Sequence, residues 1–100
     1  MHIISRKSLL LFSTIHADAE APLDTWYRAT KTAQWKNLAE LKLIFPSADL
    51  GGLYTVFNIK GNHYRLIAEI NYRSGTVFVR HILTHADYDK GNGSHEEYLG

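Results

Sequence analysis

Seven residues near the C-terminal end, Thr84-His-Ala-Asp-Tyr-Asp-Lys90, crowd a hydroxyl, an imidazole, two carboxylates, a phenol and an ammonium behind an apolar run. Polar density at the end of a strand often marks a site, because functional groups gather where a rigid scaffold ends and a loop begins. An imidazole titrates near neutrality and a phenol donates a hydrogen bond, so His85 and Tyr88 can move a proton or hold a phosphate. Lys60 and Arg65 are the cations best placed to join them, one in a turn and one early on the following strand. The competing reading is a polar strand terminus, with Tyr88 packed on the sheet edge and long side chains covering apolar surface with their stems.

What would position these groups is the stretch from Tyr54 to Lys90. Three runs rich in Val, Ile, Tyr and Phe are separated by the breaks Lys60-Gly-Asn62 and Arg73-Ser-Gly75, the pattern of an antiparallel meander. Alternation puts Tyr64, Leu66, Ala68, Ile70 and Tyr72 on one face of the middle strand, and His63, Arg65, Ile67, Glu69 and Asn71 on the other. In the third strand the same rule groups Phe78, Arg80 and Ile82 against Val77, Val79, His81 and Leu83, without deciding which group is buried. A third antiparallel strand returns its C-terminal end to the level where the second begins. His85 and Tyr88 are thereby expected to approach Lys60, His63 and Arg65.

His81 and His85 stand in an H-x-x-x-H spacing, a zinc cue when it lies on a helix or in a finger motif, but here it begins in a strand and no cysteine accompanies it. Neither metal nor cofactor is expected. Gly51-Gly52 lacks the Lys and Ser or Thr of a nucleotide-binding loop. Trp26 and Trp35 could stack on bases; Trp26 falls in a helical stripe and reads as core, and Trp35 reads as helix packing.

Upstream, Ile3 and Ile4 suit a short strand before an N-cap at Ser5, and Leu9 and Phe12 begin a helical stripe. Asp18 looks like a second N-cap, followed by Leu23, Trp26, Tyr27 and Thr30 on one face of a helix to about Ala33. Asn37 with Glu40 resembles a capping box for a third helix that Pro46 closes, and Ser47 to Gly52 reads as loop. The order implies an α+β domain: a short N-terminal strand and two to three helices packed on an antiparallel sheet of about four strands. Residues 1–90 form this single domain, and 91–100 read as a tail that is mobile or packs only through Tyr98 and Leu99.

One hundred residues at 45% apolar composition suffice for one core. The absence of cysteine excludes disulfides and thiolate catalysis and fits a reducing cytoplasm. Ser8-Leu-Leu-Leu-Phe12 is too short for a signal peptide, and no stretch is long enough to enter a membrane. Net charge is only +1, yet residues 25–80 hold eight Lys or Arg against three acids while residues 81–100 are net acidic. Such a segment can meet a polyanion, although a solvated surface is its commoner explanation.

Several blocks together carry a family resemblance: Met1-His-Ile-Ile-Ser5, Asp18-Ala-Glu-Ala-Pro-Leu23, Trp35-Lys-Asn37, Phe45-Pro-Ser-Ala-Asp-Leu50, Val56-Phe-Asn-Ile-Lys-Gly-Asn62, Tyr64-Arg-Leu-Ile67 and the block 84–90. The chain resembles the HigB-type toxins of bacterial toxin–antitoxin modules, within the RelE-like messenger RNA interferases. The resemblance implies a small RelE-like fold that cuts mRNA on the ribosome without a metal and is neutralised by a helix-turn-helix antitoxin protein. By position, Arg65 matches the family's phosphate-contacting arginine, Lys60 a basic turn residue and Tyr88 the C-terminal tyrosine, and His85 falls where many relatives carry a basic residue.

Cleavage of RNA through its own 2′-OH needs a proton acceptor, a cation facing the phosphorane oxygens and a donor to the leaving 5′-oxygen. On this reading Arg65 stabilises charge, Lys60 assists or acts as base, His85 is acid or base, and Tyr88 positions or stacks the nucleotide. Lys31, Lys36, Arg73, Arg80 and Lys90 would meet ribosomal RNA. The rival is a non-catalytic RNA-binding or protein-binding module using the same patch.

Overall fold

The computed structural model describes residues 1–90; the expectations for 91–100 lie outside the described residues. Strand β1 (His2–Ile4) runs into helix α1 (Arg6–Ile15), a 3-10 turn at Ala17–Ala19, α2 (Glu20–Thr32) and α3 (Leu38–Ile44). Strands β2 (Asp49–Gly51), β3 (Tyr54–Ile59), β4 (Tyr64–Asn71) and β5 (Thr76–Thr84) follow, and α4 (His85–Lys90) ends the described chain. The sheet order is β1-β5-β4-β3-β2, with β1 parallel to β5 and every other pairing antiparallel.

Apolar spacing makes the helices and buries them. Leu9 of α1, Leu23, Trp26 and Thr30 of α2, and Leu41 of α3 are buried against Phe57, Ile59, Tyr64, Leu66 and Ala68 of the sheet. Pro22 is harmless in the first turn of α2, where backbone N–H groups have no helical partner. Asn37 Oδ1 accepts from the Glu40 N–H at 2.9 Å, and Glu40 reaches back to the Lys36 N–H at 2.9 Å, so the expected box forms one residue wide of its reciprocal position. Edge-to-face contacts then run from Trp35 to Phe45 (5.8 Å), Phe45 to Phe57 (5.2 Å) and Phe57 to Trp26 (5.4 Å). Both tryptophans are therefore core residues.

The α+β class is as expected, as is the two-faced grouping of the middle strand, whose Tyr64, Leu66 and Ala68 lie in the core; five features differ. The sheet has five strands and is mixed, because β1 lies parallel beside β5 and Asp49–Gly51, read as loop, pairs with Tyr54–Val56. The block after Thr84 continues as a helix, with Thr84 Oγ1 accepting from the Asp87 N–H at 3.0 Å. Ser5 occupies the N-cap position of α1 but its side chain makes no cap bond. Asp18 caps nothing, since α2 begins after Ala19 and the carboxylate is drawn elsewhere.

Finally, β5 does not alternate strictly. Ile67 pairs with His81 and Ala68 with Val79, leaving Arg80 as an extra bulged residue. Beyond the bulge the faces exchange: Ile82 joins Val77 and Val79 toward the helices, and His81 and Leu83 share the open face with Ile67 and Arg65, their pairing partners.

Candidate active site

The sheet face turned away from α1, α2 and α3 carries Asn58, Arg65 and Leu83 side by side in register where β4 begins and β5 ends. The four-residue turn Lys60–His63 leads into this point. Lys60 and Gly61 both adopt left-handed backbone (φ 52° and 61°), a conformation glycine takes freely and lysine only at some cost. Its His63 carbonyl accepts the His85 N–H at 2.8 Å, docking α4 onto the turn.

Arg65 is held by neutral groups. Its Nη1 donates to the carbonyls of Asn62 (3.1 Å) and Tyr64 (3.3 Å), and its Nη2 to Asn62 Oδ1 (2.5 Å) and His85 Nδ1 (3.1 Å). The Tyr88 ring lies on the guanidinium at 5.4 Å. Oriented in this way but not neutralised by these acceptors, the guanidinium offers a charge to an incoming anion. On the far side of the imidazole, His85 Nε2 lies 2.7 Å from Asp89 Oδ2, four residues along α4. An Nε2–H donating to Asp89 and an Nδ1 lone pair accepting from Arg65 would satisfy both contacts.

Two hollows open beside this group. One, of about 260 Å³, is lined by Ser47, Asp49, Val56, Asn58, Arg65 and Tyr88 among others. The second, of about 450 Å³, is lined by His16, Asn62, His63, Tyr64, Thr84, His85 and Ala86. A groove of about 460 Å³ between α1 and α2 holds no comparable grouping, and its Arg6 lies over the Tyr27 ring at 4.8 Å.

The expected convergence thus holds for Arg65, His85 and Tyr88, and parts from expectation at Lys60. Lys60 Nζ turns to the helix side and pairs with Asp18 Oδ2 at 2.6 Å, while Tyr64 Oη donates a short hydrogen bond to Asp18 Oδ1. Those two hydrogen bonds, led by Lys60, hold the Asp18 carboxyl below its ordinary range; the bond to Asp18, aided by burial, pushes the Tyr64 phenol up. Of the other cations, Arg80 is committed to Glu69 at 2.8 Å and lies over Phe78. Lys90 stands 3.8 Å from Asp87 at the end of α4. Lys36 and Arg73 line a hollow with Met1, His2 and Trp35 at the opposite end of β4, roughly 23 Å away at about 3.3 Å per residue. Lys31 sits near it, its carbonyl accepting from the Met1 amine at 3.1 Å and its Nζ 5.6 Å from the Tyr27 ring.

Sequence reasoning missed the roles of Asn62, Asp89 and Asp18. Asp89 was detectable in principle, since an i, i+4 partner for His85 becomes visible once the block is read as helical. Among the described residues no group of three or more His, Asp or Glu side chains is placed to hold a metal, and no helix is long and apolar enough to cross a membrane.

A small α+β domain, with α1, α2 and α3 packed on one face of a mixed sheet and an arginine, imidazole and phenol gathered at one end, fits a RelE-like build. The family model of HigB toxin, RelE-like toxic component of a toxin–antitoxin system, matches residues 19–91, and the chain belongs to that family. It is 32% identical over 93 residues to the mRNA interferase HigB of Escherichia coli CFT073, covering 90% of each chain. Against the mRNA interferase toxin HigB of Escherichia coli K12 and the mRNA interferase HigB of Shigella flexneri it is 30% identical over 93 residues, covering 89% of this chain and 88% of each relative.

Proposed function

We propose that this chain is a ribosome-dependent mRNA endoribonuclease, the toxin of its module, acting in the cytoplasm without a metal and neutralised by a helix-turn-helix antitoxin. The observation that carries the reading is the Asn62–Arg65–His85–Asp89 chain of contacts, which holds a guanidinium with oxygen acceptors against one nitrogen of an imidazole whose other nitrogen meets a carboxylate. The names of the relatives, mRNA interferases, supply the substrate class.

In the reaction, Arg65 transfers its N–H groups from His85 to the nonbridging oxygens of the phosphate, where negative charge grows. This frees Nδ1 of His85 to take the proton of the adjacent ribose 2′-OH as that oxygen attacks phosphorus. Asp89 keeps the ring in the tautomer with Nδ1 open and stabilises the imidazolium that forms. The P–O5′ bond breaks, leaving a 2′,3′-cyclic phosphate, and the 5′-oxygen takes a proton from the Tyr88 phenol, which water restores. Lys60, engaged by Asp18, acts by holding the turn that presents Asn62 and Arg65. Lys31, Lys36, Arg73 and Lys90 meet ribosomal RNA, and Arg80 joins them by giving up its pairing with Glu69, so ribosome affinity falls steeply as salt rises.

Primer extension on a translated mRNA after induction tests the reading. Discrete cuts within codons that vanish in Arg65→Ala, with 5′-OH and 2′,3′-cyclic or 3′-phosphate ends, are expected. Products with 5′-phosphate and 3′-OH ends would overturn the mechanism, and ribosome binding without cuts would leave a non-catalytic RNA-binding module.

A further inference from the structure

Resting on that reading, we propose that the hollow lined by His16, His63 and Tyr64 receives one of the two nucleobases flanking the cleaved phosphate, and that His16 is its stacking platform. His85 lines this hollow while its hydrogen-bonded neighbour Arg65 lines the other, on the Asn58 and Tyr88 side. A phosphate seated at the Arg65–His85 contact therefore has a hollow to either side, as a dinucleotide step requires.

The walls suit a flat, uncharged ring. His16 stacks on Phe12 at 4.5 Å with planes 27° apart, and Phe12 meets Tyr64 edge-on at 5.4 Å. The His16 ring itself lies 5.4 Å from that of Tyr64. Tyr64 is only 7% exposed and tied through its hydroxyl to Asp18, which Lys60 holds in turn. The platform is thus fixed before any ligand arrives, which lowers the ordering cost of binding. Among the described residues no Lys, Arg, Asp or Glu lines the hollow, so it offers little to a second phosphate. Its polar edge is suited to a base: Thr84 Oγ1 accepts the Asp87 N–H and keeps its own O–H to donate, and Asn62 spends its amide oxygen on Arg65 and keeps its NH2. At about 450 Å³ the space falls within the range of small-molecule sites.

The lone-residue change His16→Ala and its ring-preserving control His16→Phe test this in a cleavage assay on ribosomes carrying an mRNA library, with the product ends sequenced. Expected for His16→Ala are a KM raised about tenfold, the loss of one stacked base, a smaller loss in kcat, and a flattened base preference on one side of the cut only. His16→Phe should recover the KM and show an altered preference on that same side. Unchanged KM and base frequencies in a folded His16→Ala protein overturn the proposal; if that variant does not fold, unchanged frequencies in His16→Phe do so. If the wild-type chain cuts nothing, the proposed activity fails while the pocket is still judged by titrating the wild-type protein with each of the four nucleosides. Shifts of the His16 and His63 imidazole proton resonances support the base site, and none with any nucleoside removes it.

Discussion

Lys60 opens one turn and Arg65, five residues on, lies in the strand that leaves it, and the fold gives them opposite fates. Lys60 meets a carboxylate on the helix side, where Asp18 and the Tyr64 hydroxyl close around it. Arg65 meets amide and carbonyl oxygens and an imidazole on the open side, where its charge is oriented without being cancelled by them. Each cluster holds a cation, an aromatic hydroxyl residue and an acid. In the first the acid touches the cation; in the second Asp89 touches the histidine that stands between it and the cation. That single exchange of partner separates a brace from a site, because an ion pair already formed has little left to offer a phosphate.

The contrast is broken most severely at Arg65. Arg65→Ala should lower mRNA cleavage by about 10²–10³-fold, the usual loss when a positioned charge stabiliser is removed, while the denaturation midpoint moves little. A soluble, folded variant that still arrests growth would end the assignment. His85→Ala should cost about 10²-fold in single-turnover rate, and Asp89→Asn less than that, since it leaves the imidazole in place. Equal losses for the two would mean that the hold of Asp89 on the tautomer and on the imidazolium is as necessary as the ring itself.

Lys60→Ala should show the reverse profile: a cut slowed by no more than a few-fold, and a urea midpoint lowered relative to wild type. A cleavage loss as large as that of Arg65→Ala would return Lys60 to the chemistry. The brace should also carry a pH signature. Because the folded-state pKa of Asp18 is depressed, its contribution is fully present above its unfolded value and is lost as pH falls through the folded one. Tyr64 is raised, so its contribution is present below the unfolded phenol value and fades only as pH climbs through the higher folded one. The urea-midpoint difference between wild type and Asp18→Asn should therefore shrink in acid below the ordinary carboxylate range. A difference constant with acidification would show that the carboxylate is not what the brace uses. The smallest effect is expected from chelating transition metals in the ribosomal assay with structural Mg²⁺ retained: no change in rate. Zinc-dependent cutting would reopen the His81 and His85 pair.

Much of the architecture could be read without coordinates, because its causes are local. Leu23, Trp26, Tyr27 and Thr30 announce α2 by spacing, Asn37 announces α3 by capping, and two glycine-bearing breaks announce the meander. The antiparallel return brings His85 to Arg65, and α4 then carries Tyr88 over the guanidinium. Features resting on through-space partners were not legible. Three residues at Asp49–Gly51 become a strand only by pairing with β3, and β1 takes its parallel place only beside β5. The six residues of α4 are too few to be helical on their own account, since nucleation costs more than one turn returns. The bulge at Arg80 belongs to the register of two strands, and it decides that His81 and Leu83 rather than Ile82 share a face with Arg65.

Composition and spacing by themselves determined an α+β domain with a basic meander and an imidazole and phenol at its end. Which cation meets a carboxylate and which an imidazole was decided only in three dimensions. Asp18, 42 residues from Lys60 along the chain, lands within 2.6 Å of its ammonium, and no periodicity encodes that approach. Charge neutralisation depends on distance in space, while sequence patterns report only what neighbours along the chain can do for one another.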